Sequence, residues 1–138
     1  MRRIDTIIVH CTATKAMRHF NVNDVRRLHI QRGFNDIGYH FLVLVDGTIQ
    51  TGRLLSIAGA HCQGRNEHSI GVCYVGGLNA KGAPADTRTP AQRKALRQLL
   101  TRLKQQFPAA TIHGHRNFAA KACPCFNATA EYEDISAL

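Results

Sequence analysis

Gly38-Tyr39-His40-Phe41-Leu42-Val43-Leu44-Val45, then Asp46-Gly47, then Thr48-Ile49-Gln50-Thr51-Gly52-Arg53 is an apolar run, a tight-turn dipeptide and a second run. Asp-Gly tolerates the positive φ values that a two-residue hairpin turn requires, so the stretch predicts two antiparallel strands joined at residues 46 and 47. Period-2 alternation sets Tyr39, Phe41, Val43 and Val45 on one face and His40, Leu42 and Leu44 on the other. On that pattern Tyr39 and His40 cannot both face one site. The hairpin also decides the character of the sheet, because strands joined through helices run parallel and this one adds an antiparallel edge.

Upstream, Ile4 to His10 carries the nearly continuous β-branched run Ile7-Ile8-Val9, expected of a strand buried on both faces. After a loop from Cys11 to Phe20, Asn21 or Asn23 can cap a helix running to about Arg32 and stopped by Gly33. Val25 and Leu28 are expected to face inward, Arg26, Arg27 and Arg32 outward, with His29 at the core rim. Downstream, Ala58 to Cys62 is small and flexible, Asn66-Glu67-His68 reads as a turn, and Ser69 to Val75 as a further strand with Cys62 and Cys73 as small buried hydrophobes. A loop of Gly, Pro, Asn and Asp from Gly76 to Arg88 leads to Thr89-Pro90-Ala91-Gln92, a capping box with proline at the first helical position. That helix runs to about Phe107. Ala95, Leu96, Leu99, Leu100, Leu103 and Phe107 form its apolar stripe, and Arg93, Lys94, Arg97, Arg102 and Lys104 are expected outside. Ala109 to His113 fits a last strand, and Asn127 caps a short helix holding Tyr132, Ile135 and Leu138. Strands interleaved with helices predict an α/β fold, a mixed central β-sheet flanked by helices, in one domain spanning residues 1–138.

Composition narrows the class. With 44% hydrophobic and 20% charged residues the chain has the means to build a core and is not a disordered one. No window approaches the roughly 18 apolar residues of a transmembrane helix. Met1 to Thr6 meets Asp5 at once and is followed by too short an apolar run for a signal segment, so the product is expected to start in the cytoplasm. Five cysteines at irregular positions (11, 62, 73, 123, 125) argue for free thiols or metal ligation over a disulfide framework. The net charge of +9 predicts attraction to polyanions without choosing among nucleic acid, anionic membrane and wall polymer.

Metal-type donors concentrate between His113 and Cys125. A catalytic zinc site takes three protein ligands and leaves one position for water. His113, His115, Cys123 and Cys125 are all eligible. His115 and Cys123 are eight residues apart, too far for one helix face and suited to a loop that leaves a strand and folds back. Pro124 fixes the backbone there, and the Lys121 cation favours a thiolate nearby. A third ligand must come from elsewhere. His10, at the exit of a buried strand, is well placed for it, or else merely closes the sheet edge.

At this point the residues resemble a known family. Val9-His10-Cys11-Thr12-Ala13-Thr14-Lys15, Gly38-Tyr39-His40-Phe41, Asp46-Gly47-Thr48, His68-Ser69-Ile70-Gly71-Val72-Cys73, Gly76-Gly77, Thr89 to Gln92 and His115 through Lys121-Ala122-Cys123-Pro124 look like the zinc-dependent N-acetylmuramoyl-L-alanine amidases, above all the short phage lysozymes of amidase type. These share their fold with the peptidoglycan recognition proteins.

The resemblance implies zinc bound by His10, His115 and Cys123, with Tyr39 and Lys121 needed for cleavage of the bond between N-acetylmuramic acid and L-alanine in bacterial peptidoglycan. A monomer with no membrane partner is expected, no paired Cys-x-x-Cys set or aromatic-rich basic strand supports direct nucleic-acid readout, and a phage-type lytic role requires release by another factor. Some relatives also regulate a polymerase, which makes a polymerase a second expected partner. Two alternatives stand beside this: a catalytically silent peptidoglycan-binding module, and a basic zinc protein binding nucleic acid or a polymerase. Departures from the family pattern are Ala120, where proline is frequent, Cys11, which adds a thiol beside His10, and Cys125, which follows Cys123 in a Cys-Pro-Cys arrangement that could compete for the metal or trap the ligand thiol; both extra thiols are expected to be packed bystanders.

Overall fold

Ile7, Ile8 and Val9 are fully buried because their strand lies inside the sheet. In the computed structural model, which describes residues 1–138, β1 (Thr6–Cys11) runs parallel to both β5 (Ser69–Tyr74) and β7 (Thr111–Gly114). β3 (Phe41–Val43) adds in parallel to β5, and β4 (Ile49–Thr51) closes the edge antiparallel to β3, giving the order β4-β3-β5-β1-β7. The sheet is mixed, as the hairpin requires. Two short strands, β2 (Thr14–Lys15) and β6 (Gly77–Leu78), pair in parallel as a separate ribbon. No helix is long and apolar enough to cross a membrane.

Each face of the sheet is covered by a helix whose ends the sequence marks. α1 (Val22–Gln31) starts at Asn21, whose side chain accepts from the Asp24 amide while Asp24 accepts from the Asn21 amide. It packs Val25 and His29 inward, one helical turn apart, and leaves Leu28 40% exposed. The expectation for Leu28 is therefore corrected. The inward place goes to His29, whose Nδ1 accepts from the Gly38 amide at 2.8 Å and so satisfies a backbone donor that no leucine can.

α2 (Pro90–Gln106) lays Ala95, Leu96, Leu99, Leu100 and Leu103 against Ile7, Val9, Ile70 and Val72. Lys104, expected outside, is 5% exposed. Its ammonium donates to the carbonyls of Pro108 and Ala110, both at 2.8 Å, and so caps the turn that carries the chain from α2 into β7. Two short helices, α3 (Ala128–Glu131) and α4 (Glu133–Ser136), stand where one was expected. Tyr132 and Ile135 are buried against the same core, whereas Leu138 is 70% exposed.

Arg88 ties this end of the molecule together. Its guanidinium pairs with Asp86 and Glu131, donates to the Tyr132 hydroxyl and lies 3.4 Å over the Phe126 ring. Arg88→Ala is expected to cost about 2–3 kcal/mol in chemical denaturation, the low side for a broken buried pair because both carboxylates keep contact with water. The pH dependence follows from the partners. Hydrogen bonding to Arg88 holds Glu131 below the ordinary carboxylate range, and at Asp86 the same contacts outweigh burial, which acts in the opposite sense. Depressed folded pKa values mean stability that is present at neutral pH and lost as pH falls through them, and the variant should show a shallower acid limb.

Candidate metal centre

His10 leaves β1 on the face opposite Val9 and Cys11, with 1% of its surface exposed. His115 opens a 3-10 turn immediately after β7, so the parallel pairing of β1 with β7 brings two sequence-distant histidines to the same sheet end. Their rings lie 4.6 Å apart. The chain then loops and returns: the Arg116 amide donates to the Cys123 carbonyl at 2.7 Å, and the Cys11 amide donates to Cys123 Sγ at 3.3 Å.

One donor atom from each of His10, His115 and Cys123 lies within 4.8 Å of the others, and His10 Nδ1 is 3.8 Å from Cys123 Sγ. Nitrogen and sulfur ligands of a tetrahedral zinc stand roughly 3.6 Å apart, from bond lengths of about 2.0–2.1 and 2.3 Å. The residues therefore fit such an ion. Borderline-soft imidazole and thiolate donors suit zinc and exclude magnesium or calcium.

A second layer of imidazoles supports the first. His10 Nδ1 faces the thiol, so its proton belongs on Nε2, which donates to His61 Nδ1 at 2.8 Å. His61 Nε2 then donates to Ser69 Oγ at 3.3 Å. Gly71 makes room for this ring: a Cβ there would stand 2.7 Å from His61 carbons. His40 in turn accepts from the Gly71 amide on Nδ1 and donates from Nε2 to the Ile57 carbonyl. Burial pushes His61 down to about 3 and His40 to about 4, and burial followed by repulsion from His61 and His115 lowers His10 well below its ordinary value. All three are neutral at pH 7, the form in which imidazole binds a metal. Substituting His61 with alanine is expected to weaken zinc affinity by roughly 10–100-fold, the usual effect of losing an outer-shell partner. Competition with a chromogenic chelator measures it, and wild-type affinity in the variant would remove His61 from the support of the site.

Tyr39 comes to the same place by a route that alternation did not foresee. Its ring is 5.1 Å from that of His10, while His40 lies 5.9 Å from His61, so the two neighbours face one cluster. The extended pairing begins only at Phe41. At residues 38–40 the chain bends, with the Tyr39 carbonyl accepting from Arg53 and the His40 carbonyl from Gly52. Tyr39 is half-buried, and burial raises its pKa well above the ordinary phenol value.

Lys121 is exposed at the mouth of a cleft of about 470 Å³ whose walls include Phe34, His61, Gln63, His115 and Phe118. Two other donor-type residues of the 113–125 stretch lie elsewhere. Cys125 Sγ is directed to the Gly77 carbonyl at 3.3 Å and to Cys11 Sγ at 3.9 Å, outside the three-donor set. His113 is bonded to Thr111 and Thr129 on the outer edge of the sheet. His61, His40 and Asn66, whose Oδ1 accepts from the amides of His61 and Cys62, went unmarked in the sequence. The partners of His61 and His40 are remote in the chain, and only the small residues around Gly59 hint at a close approach.

With the geometry in place, comparison with known proteins is informative. A family model described as N-acetylmuramoyl-L-alanine amidase matches residues 1–126. The chain is 47% identical over 121 residues to the endolysin of Klebsiella phage KP32, covering 88% of this chain and 80% of that one. It is 43% identical over 123 residues to the endolysin of Escherichia phage T7, with 89% and 82% covered. Among solved structures, the amidase LysC from Clostridium intestinale superposes with a TM-score of 0.81 at 28% identity, covering 99% of this chain and 85% of its own. Drosophila PGRP-LB gives 0.79 at 26% identity, with 96% and 81% covered.

Proposed function

The chain belongs to the N-acetylmuramoyl-L-alanine amidase family and hydrolyses the amide joining N-acetylmuramic acid to L-alanine in peptidoglycan; from this we propose that its cofactor is zinc, held by His10, His115 and Cys123, and that Tyr39 and Lys121 are its catalytic residues. The observation that carries the proposal is the convergence of two imidazoles and one thiol from three separate segments. Bound there, zinc supplies a Lewis acid that polarises the amide carbonyl and acidifies water, with about one net positive charge left after thiolate ligation.

The protein's own groups do the rest. His10 presents Nδ1 because His61 holds the Nε2 proton. Lys121 brings an ammonium to the cleft mouth, where the carbonyl oxygen gains negative charge during attack. Tyr39 keeps its proton, since burial disfavours the phenolate, and so acts as a hydrogen-bond donor that orients water or the carbonyl, not as a base. Phe34 and Phe118 supply the apolar walls that limit water in the cleft. The charge of +9 suits a substrate whose stem peptides carry free carboxylates. The lytic setting, action on the wall after release, belongs to the same proposal. A silent binding module has no need of the ligand thiol that Cys123 provides.

End-group analysis of purified peptidoglycan tests the reading. New amino termini should all be L-alanine with no new reducing sugar ends. Termini of another residue, or new reducing ends, would assign the enzyme to a different bond.

A further inference from the structure

The cleft beside the metal centre is cationic without being self-neutralised. None of the residues lining it is an aspartate or glutamate, and Lys121 stands at its mouth. A second cation reaches the same rim. The Arg65 guanidinium lies over the Phe118 ring, 4.5 Å from its centroid, and Phe118 is a wall of the cleft. Arg26, Arg27, Arg88, Arg93 and Arg97 each pair with a carboxylate of the chain; the Arg65 side chain pairs with none and makes no hydrogen bond to the protein.

Its base is nonetheless fixed. The Arg65 amide donates to the Cys62 carbonyl at 2.9 Å, closing a turn through Gly64 at φ +82. Asn66 pins the start of that turn by accepting from the amides of His61 and Cys62. The turn that holds Arg65 therefore also holds His61, so the guanidinium is indexed to the metal centre. Stacking occupies the face of the guanidinium and leaves its N–H edge free, the geometry that receives a carboxylate through two parallel hydrogen bonds. An arginine already ordered on an aromatic ring loses less rotamer freedom when it binds.

Resting on the amidase reading above, we propose that Arg65 is the carboxylate-binding residue for the stem peptide and sets a preference for stems whose second residue carries a free α-carboxylate. On the leaving side of the scissile amide, L-alanine is followed by a glutamate joined through its side chain. Its α-carboxylate lies about one residue length, roughly 3.5 Å of chain, beyond the alanine. It is the nearest anion the cleft can meet. Amidation of that group to isoglutamine removes the charge and replaces an acceptor oxygen with an NH₂ that a guanidinium cannot use.

The test compares N-acetylmuramoyl-L-alanyl-γ-D-glutamyl-L-lysine with the counterpart whose glutamyl α-carboxylate is amidated, with kcat and KM measured separately on zinc-loaded wild type, Arg65→Ala and Arg65→Lys. Wild type is expected to show a KM about tenfold lower for the free acid. Arg65→Ala should bring the ratio of the two KM values close to one, the change falling in KM and not kcat, with zinc content as in wild type. Arg65→Lys, which keeps the charge and loses the fork, should fall between. An unaltered ratio in Arg65→Ala, or no preference in wild type, overturns the proposal. A wild type that exposes an L-alanine amino terminus in neither substrate nor whole peptidoglycan overturns the amidase reading itself, a result distinct from cleavage without preference.

Discussion

Cys123→Ser is expected to lose bound zinc and at least about a thousandfold in amidase rate. Serine keeps the size of the side chain and can still accept the Cys11 amide, but its oxygen stays protonated at neutral pH and is a poor zinc donor beside a thiolate. A zinc ion held there would contribute several kcal/mol of transition-state charge stabilisation, and each ~1.4 kcal/mol is tenfold in rate. Cys123 is half-buried in a loop, and neither its backbone bond to Arg116 nor the core depends on sulfur, so the variant should fold. The measurement pairs metal content by elemental analysis with release of L-alanine termini. Full activity in the serine variant would remove Cys123 from the ligand set.

Lys121→Ala is expected to reduce kcat by roughly 10²–10³-fold, the effect of deleting one donor to a developing oxyanion, with zinc content unchanged. The contrast with Cys123→Ser separates the two roles, because one variant loses the ion and the other keeps it. Lys121→Arg should recover part of the rate, since a cation returns in a bulkier shape. If alanine at this position raises KM and leaves kcat intact, Lys121 anchors the substrate and does not act on the reacting carbonyl.

Much of the architecture is legible in the sequence because each signal is local. Asp46-Gly47 marks the hairpin, Thr89-Pro90-Ala91-Gln92 starts α2, Asn21 starts α1, and Ile7-Ile8-Val9 announces the central strand. What misleads is long-range competition for polar groups. Lys104 sits at a stripe-flanking position that periodicity sends to solvent, yet two orphan carbonyls after the helix draw it inward. Leu28 yields its place to His29 because Gly38 needs an acceptor. Alternation failed at Tyr39 and His40 because it assumes an extended chain where the backbone bends to meet Gly52 and Arg53. The ligand triad follows from resemblance and not from spacing, which leaves four residues eligible beside His10 as a candidate third donor. His61 is invisible by the same logic: its partner is 51 positions away, and nothing local marks a histidine that supports another histidine. Cys125, conspicuous in sequence, is turned from the centre toward Gly77.

If one zinc ion held by His10, His115 and Cys123 drives the amidase reaction, a single titration shows it. Protein stripped with chelator is returned to activity by stepwise zinc, with bound metal and new L-alanine amino termini followed on the same samples. The rate should rise in proportion to zinc and reach its plateau at one ion per chain, while His10→Ala binds none at the same free zinc and stays inactive. Stripped protein that cleaves peptidoglycan at the wild-type rate would rule out zinc as the cofactor of the reaction.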